Sequence, residues 1–330
     1  MINSKNKASI LIIADFPNWA YHEIMKFIIE NLSEHYDIYY DFLIYNSKKK
    51  SKNPIKKIIS FFNHYKYAKL KKDCHYDVVF YLAFYFENQI DVKWSSKKII
   101  KGIFTDGFPP SNSKYIGDVD GFIQKYLNNT NAIVCGSKNI TDFYKFYFSK
   151  TYYANMIIDE NIFKRKSNRK STEKFIVGWT GNPARSFKGF YSHIIPSISI
   201  LNEKYPNIEL KTRFSGPIST LPYFYENVDL VVIASDADAG PSLFVEASLM
   251  DIPCVSTDIG WPKEVIINGI NGFIVSKEIE EIVNKIEFLY LNREVLNSMS
   301  NRIRKDFIKV FDKNIMISNW KQLFDEVLIS

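Results

Sequence analysis

Apolar residues along this chain fall either into short unbroken runs or into stripes at helical spacing, and turn residues separate the two kinds of segment. Residues 8–14 (ASILIIA) form the first run, suited to a strand covered on both faces and therefore to a parallel sheet. It ends at the turn Asp15-Phe16-Pro17-Asn18, after which residues 22–32 set Ile24, Phe27, Ile28 and Leu32 on one side of a helix. Strands are predicted again at 38–45, 76–83, 98–105 and 132–137, with helices at 119–127 and 138–148.

The second half repeats this alternation. Residues 175–179 (FIVGW), 209–214 (ELKTRF), 230–234 (LVVIA) and 252–256 (IPCVS) read as strands, and 194–204, 277–291, 294–311 and 315–328 as helices. Between the halves, residues 164–174 (KRKSNRKSTEK) are polar, basic and free of apolar side chains, as a linker would be. The expected fold is α/β with two Rossmann-like, doubly wound domains, at 1–163 and 174–310, a linker at 164–173 and a last helix in 311–330. A length of 330 residues suits two such domains, and 46% hydrophobic residues suffice for their cores.

The chemistry is concentrated after the strand at 230–234. A loop, 235–241, carries Asp, Gly and Pro; Ser242 then stands as a candidate N-cap before a helical LFVEASLM. In a strand-loop-helix-strand unit the ligand sits beyond the carboxyl ends of the strands, where the helix N-terminus presents free N–H groups. Gly240, Pro241, Ser242 and Leu243 would face that crevice, all but the proline offering a donor, and an anion is the matching guest. Asp238 and Glu246, eight positions apart, would repel a diphosphate, so their fitting task is to accept hydrogen bonds from hydroxyls on either side of it. A pair of acids on such a unit is ordinarily solvated surface; the number of matches in one frame sets this one apart.

Ser235, Asp238, Pro241, Glu246, Ala247, Pro253, Gly260 and Glu264 stand in the register of the frame S-x-x-E-G-x-P-x-x-x-x-E-A, followed by G-x-P-V and G-G-x-x-E, with Gly240 one position after the Gly of the frame. In this the stretch resembles the donor-binding signature of GT-B-fold retaining glycosyltransferases of the family 4 type. Asp238 replaces the first Glu of the frame, and Asp251 the Gly before Ile252-Pro253. The resemblance implies two domains facing each other across a cleft, the last helix crossing back onto the first domain. It implies a nucleotide-diphosphate sugar as co-substrate, no cofactor and no metal.

Residue roles follow from the same resemblance. The loop Thr180-Gly181-Asn182-Pro183 after a strand, with Arg185 and Lys188-Gly189 beyond it, suits a diphosphate: a fork from Arg185 and a point charge from Lys188. Taken alone, both are ordinary surface charges; the family uses a basic pair ending in Lys-Gly here. Gly216, in Ser215-Gly216-Pro217, marks the expected seat of the base, Glu246 would hold ribose hydroxyls and Asp238 those of the donor sugar. In the first domain Asp106 matches the Asp of a His-Asp pair near donor and acceptor, with Thr105 where the His would be. On the acceptor side, Trp19 and Tyr21 either wall a pocket or pack beneath their loop.

Charge adds one further feature. Residues 48–72 hold ten lysines and no acid, more than the whole chain's net +7, so the remainder is slightly acidic. Ile55, Ile58, Ile59 and Phe62 fall on one helical face there. Such a helix either lies on an anionic membrane surface or packs by its apolar stripe with lysines in water. The expected acceptor is accordingly a glycan or a lipid-linked glycan at the cytoplasmic membrane face, in surface-polysaccharide synthesis. Cys74, Cys135 and Cys254 are scattered without metal spacing and fit a reducing cytoplasm, and no run is long enough for a membrane span or signal peptide.

Other classes remain open at this stage. Asp236-Ala-Asp238 after an apolar strand admits a metal-dependent GT-A transferase, and the Thr105 and Asp238 departures admit a catalytically weak binding subunit. A nucleic-acid binder could use the lysines with Phe61, Phe62, Tyr65 and Tyr67 as stacking groups, but no recognised fold surrounds them, and nucleic acid is not the expected partner.

Overall fold

A computed structural model of the chain describes residues 7–17, 20–46, 75–90, 95–105, 107–110, 113–156, 160–165 and 173–330. The lysine-rich stretch 48–72, most of the predicted linker, Trp19 and Asp106 lie outside the described residues. The chain divides into two compact units, one of residues Met1–Ile157 with Lys313–Ser330 and the other of Ile158–Asp312.

In the first unit β1 (Ser9–Ala14) leads through α1 (Ala20–Leu32) to β2 (Asp37–Phe42), which turns directly into a short α2 (Leu43–Asn46). β3 (His75–Tyr81) and β4 (Ser95–Ile103) follow, then α3 (Val119–Phe122), which widens into a π-helical turn to Leu127. β5 (Ala132–Cys135), α4 (Lys138–Lys145) and β6 (Thr151–Tyr153) complete the series. The sheet runs β2-β1-β3-β4-β5-β6 with every pair parallel. Every residue of β1 and β5 is buried, which accounts for their unbroken apolar sequences.

The second unit repeats the scheme. β7 (Phe175–Thr180), α5 (Ile195–Lys204), β8 (Ile208–Arg213), α6 (Leu221–Tyr225) and β9 (Leu230–Ile233) precede α7 (Ser242–Leu249) and β10 (Cys254–Thr257). α8 (Gly260–Val265), β11 (Phe273–Val275), α9 (Ile279–Leu291) and α10 (Arg293–Val310) close it. Its parallel sheet runs β11-β10-β9-β7-β8, so β7 is flanked by β8 on one side and β9 on the other.

The final helix, α11 (Lys313–Ile329), belongs to the first unit. Trp320 is fully buried there; its indole N–H donates to the Asn155 carbonyl at 2.9 Å and its ring meets Phe80 and Phe324. Tyr36 of α1's following turn adds a hydroxyl bond to Asp325 at 2.6 Å.

Two boundaries differ from the sequence expectation. Residues 160–163 go with the second unit, because the Phe163 ring is buried against Tyr225 and Arg304 of α10 donates to the Phe163 carbonyl at 2.8 Å. The strand expected to run to 45 stops at Phe42, where the chain turns helical. Among the described residues no helix is long and apolar enough to cross a membrane.

Candidate functional site

β7 and β9 are neighbours in the sheet, yet the chain leaves β7 toward β8 on one side and leaves β9 toward β10 on the other. Connections diverging from adjacent parallel strands leave a crevice at their carboxyl ends. A cavity of about 290 Å³ opens there. The end of β7 and its loop contribute Gly181, Asn182, Arg185 and Lys188; the segment after β8 contributes Gly216. Pro241, Ser242, Leu243 and Glu246 close it from the α7 side. Residues chosen from sequence over a span of more than sixty positions thus meet around one space.

Each cavity wall has a local cause. Lys188 ends a single 3₁₀ turn, Ser186–Lys188, and Gly189 reverses the chain at φ 67°, a conformation open to glycine. A Cβ at Gly189 would also lie 2.2 Å from the Ala234 carbonyl oxygen, so the turn rests directly on the end of β9. The Asp236 N–H donates to the Phe187 carbonyl at 2.8 Å and ties the two loops. Across the cavity, α7 begins at Ser242 with Pro241, at φ −64°, as the preceding cap residue and no side-chain cap bond. Ser242 is therefore the first helical residue instead of the expected N-cap. Within its first turn the Phe244 N–H donates to the Pro241 carbonyl at 2.9 Å, while those of Ser242 and Leu243 have no helical carbonyl to reach and carry the positive end of the helix dipole.

Asp238 and Gly240 stand beside the cavity. The Asp238 carboxylate is ion-paired with the Lys188 ammonium, and Gly240 packs so closely on Trp261 that a Cβ would come within 2.5 Å of the indole. Asp236 is paired with Lys277. Both carboxylates of the Asp-x-Asp are thus held by ammonium groups, and among the described residues no group of three or more His, Cys, Asp or Glu could hold a metal ion.

Glu246 is the most perturbed acid in the cavity. It is only 8% exposed, and burial raises its carboxyl from the usual range to about 7, against the opposing effects of the Tyr225 hydrogen bond and the Arg213 charge. The Tyr225 hydroxyl donates to Glu246 Oε2 at 2.6 Å and lies 3.2 Å from Thr180 Oγ1. Arg213, at the end of β8, donates to the carbonyls of Pro217 (2.8 Å) and Thr220 (3.1 Å) and to Thr220 Oγ1 (2.6 Å), fixing the loop around Gly216. Sequence reasoning passed over both Arg213 and Tyr225. A cation at the carboxyl end of a strand was a usable signal for the arginine; nothing local marks the tyrosine.

In the first unit the outcome is mixed. Tyr21 packs edge-to-face on Phe86 at 5.5 Å and Phe104 at 6.0 Å, which matches packing beneath its loop. The Thr105 hydroxyl, just past β4, is buried with no hydrogen-bond partner among the described residues. Asp15, past the end of β1, has its carboxyl pushed up by burial and one oxygen likewise without a partner.

Residues 203–306, covering β8 through most of α10, match the family model of glycosyl transferases group 1. The capsular polysaccharide biosynthesis glycosyltransferase CapM of Staphylococcus aureus is 24% identical over 223 residues, 59% of this chain and 54% of CapM. The chain spans about half the length of the curated relatives it matches. Sucrose-phosphate synthase from Thermosynechococcus elongatus superposes with a TM-score of 0.70 at 10% identity, covering 98% of this chain and 100% of the other. HepE of Anabaena, solved in complex with UDP and glucose, superposes with a TM-score of 0.66 at 12% identity, covering 96% and 99%. Over residues 203–306 the second unit is thus similar to glycosyl transferases group 1, and the chain has the α/β fold of two parallel sheets that GT-B proteins share.

Proposed function

We propose that the chain transfers a sugar from a nucleotide-diphosphate sugar to a glycan or lipid-linked acceptor in bacterial surface-polysaccharide synthesis. One observation carries this reading: a single cavity sets three cations, Arg185, Lys188 and Arg213, and a helix N-terminus against a buried carboxylate. Cations and free N–H groups match a diphosphate, and an acid that none of the described lysines or arginines neutralises by direct contact matches hydroxyls. A nucleotide sugar presents both in sequence. CapM, named for capsular polysaccharide biosynthesis, and HepE, solved with UDP and glucose, support the substrate class.

In this reading Lys188, Arg185 and the α7 amides at Ser242 and Leu243 offset the charge that builds on the leaving diphosphate, the largest expected catalytic contribution. Glu246 holds ribose hydroxyls, the segment at Gly181, Asn182 and Gly216 borders the nucleotide, and Asp238 takes the donor sugar's hydroxyls. Transfer retains the anomeric configuration and needs neither metal nor cofactor. The acceptor meets the first unit near Thr105 and Asp106. The stretch 48–72 would dock on an anionic membrane face from the cytoplasmic side, a reading that rests on its lysines and apolar stripe alone.

A thermal-shift panel of UDP-, GDP- and ADP-sugars tests the reading. One donor should raise the wild-type melting point as it saturates the folded state, and Lys188→Ala and Glu246→Ala should abolish the shift. No shift with any donor, or an equal shift in both variants, overturns it.

A further inference from the structure

Glu246 alone does not determine where a ligand hydroxyl would bind; a carboxylate on a helix can rotate about its last torsion and offer either oxygen. Here that freedom is removed by Tyr225. The phenol is fully buried, its ring edge-on to Phe163 and Phe224, so it has no room to swing aside. Its single proton goes to Glu246 Oε2 at 2.6 Å. With that proton committed, the 3.2 Å contact to Thr180 can only be a donation from the threonine hydroxyl into the phenol oxygen. A relay of Thr180, Tyr225 and Glu246 results, running from the end of β7 through α6 to α7. Glu246 Oε1 accepts no hydrogen bond from any described residue, while Glu246 lines the cavity.

We propose that Tyr225 is the positioning residue of Glu246, holding one carboxylate oxygen in place so that the other receives the vicinal hydroxyls of a bound nucleotide. This deepens the donor-binding reading above and rests on it. Tyr225 touches no ligand itself; it acts through the acid. The same bond supports the charge that hydroxyl binding needs, since it stabilises the ionised carboxylate against burial. The charged groups facing Glu246 are few. Arg213 approaches from the end of β8, and Arg185 and Lys188 occupy the opposite wall, Lys188 paired with Asp238. Arg304, on the α10 that packs against α7, is engaged with the Leu249 and Phe163 carbonyls at the far end of α7. Among the described residues no other group donates to the Glu246 carboxylate, so losing the tyrosine hydroxyl removes its hydrogen bond.

The test is Tyr225→Phe, which keeps the ring and removes the hydroxyl. Binding of UDP, GDP and ADP, and of inorganic pyrophosphate as a probe without ribose, is titrated calorimetrically from pH 6 to 9. For the nucleotide that wild type binds, affinity should fall as pH drops through about 7, where Glu246 protonates. In Tyr225→Phe that midpoint should move to higher pH, with binding at pH 7 about tenfold weaker, the usual scale for a hydrogen bond to a charged group. Pyrophosphate binding should be unchanged. Thr180→Val, which removes the donor into the phenol, should move the midpoint the same way by less, and it carries the test should Tyr225→Phe not fold. An unmoved midpoint, or equal weakening of nucleotide and pyrophosphate, overturns the positioning role. If wild type binds pyrophosphate but no nucleotide, the donor reading itself fails, and this inference falls with it.

Discussion

The Lys188 ammonium and the Asp238 carboxylate hold each other at the mouth of the second sheet, their side chains 21% and 16% exposed. Each is the other's competitor for a ligand: a phosphate would take the ammonium, and sugar hydroxyls would take the carboxylate. Entry of such a ligand would thus exchange one ion pair for two new contacts. Truncating one member of a shielded charge pair typically costs 2–5 kcal/mol, so Lys188→Ala should weaken nucleoside diphosphate binding by roughly 30-fold or more. Asp238→Asn should act oppositely on the bare nucleotide, tightening it severalfold by freeing the lysine, while slowing sugar transfer. Calorimetry and a transfer assay on the two variants check the opposed signs.

The buried Glu246 should make the second unit less stable at neutral pH than at acid pH. Its carboxyl titrates at about 7 when folded, above the ordinary value of 4.5 expected on unfolding. A raised carboxyl contributes stability that is fully present below the unfolded value and is lost as pH rises through the folded one. Glu246→Gln mimics the protonated form, so the two proteins should melt alike below about pH 4.5, diverge as pH rises from 4.5 to 7, and stay apart above it, the variant being more stable by roughly 3 kcal/mol at most. At about 2–4 °C per kcal/mol, melting curves at two pH values resolve this. Nucleotide binding should be lost in the stabilised variant, a cost common at functional sites.

Chelation should change nothing. Lys277 and Lys188 already neutralise Asp236 and Asp238, the acids that would serve a metal-dependent transferase. Nucleotide-sugar binding and transfer in EDTA should equal those without it. Turnover that returns only with added magnesium or manganese would contradict the pairing.

Trp320 anchors α11 with all of its surface buried and its indole N–H bonded to the Asn155 carbonyl. Trp320→Ala should cost about 3–5 kcal/mol, the range for emptying a large aromatic from a core. The loss should fall on the first unit: denaturant unfolding should show an early transition while nucleotide binding in the second unit persists at wild-type affinity.

Much of the second unit was readable from residues alone, because its strands are unbroken apolar runs and its cavity is assembled at strand ends. β9 and α7 came out nearly to the residue, and the amides and acid of α7 meet the cations that follow β7 in one place. What escaped lacked a local mark. β6 and β11 are three residues long, too short for any periodicity, and α8 contains Gly260 and Pro262, which read as loop. Tyr225 stands in the aromatic run LPYFYE, where only the fold distinguishes the ring that reaches Glu246. The lysine pairing of Asp236 and Asp238 was equally invisible, since Lys277 lies forty-one positions beyond Asp236.

Because α11 completes the first unit, the second is inserted within it as one continuous segment, Ile158–Asp312. On the ribosome, the inserted segment is wholly synthesised before the helix that seals its host. The earlier half must therefore wait, its sheet made but the Trp320 seat empty, until the later half has emerged. A chain released after Asp312 should already bind nucleotide while the surface awaiting α11 remains open to chaperones.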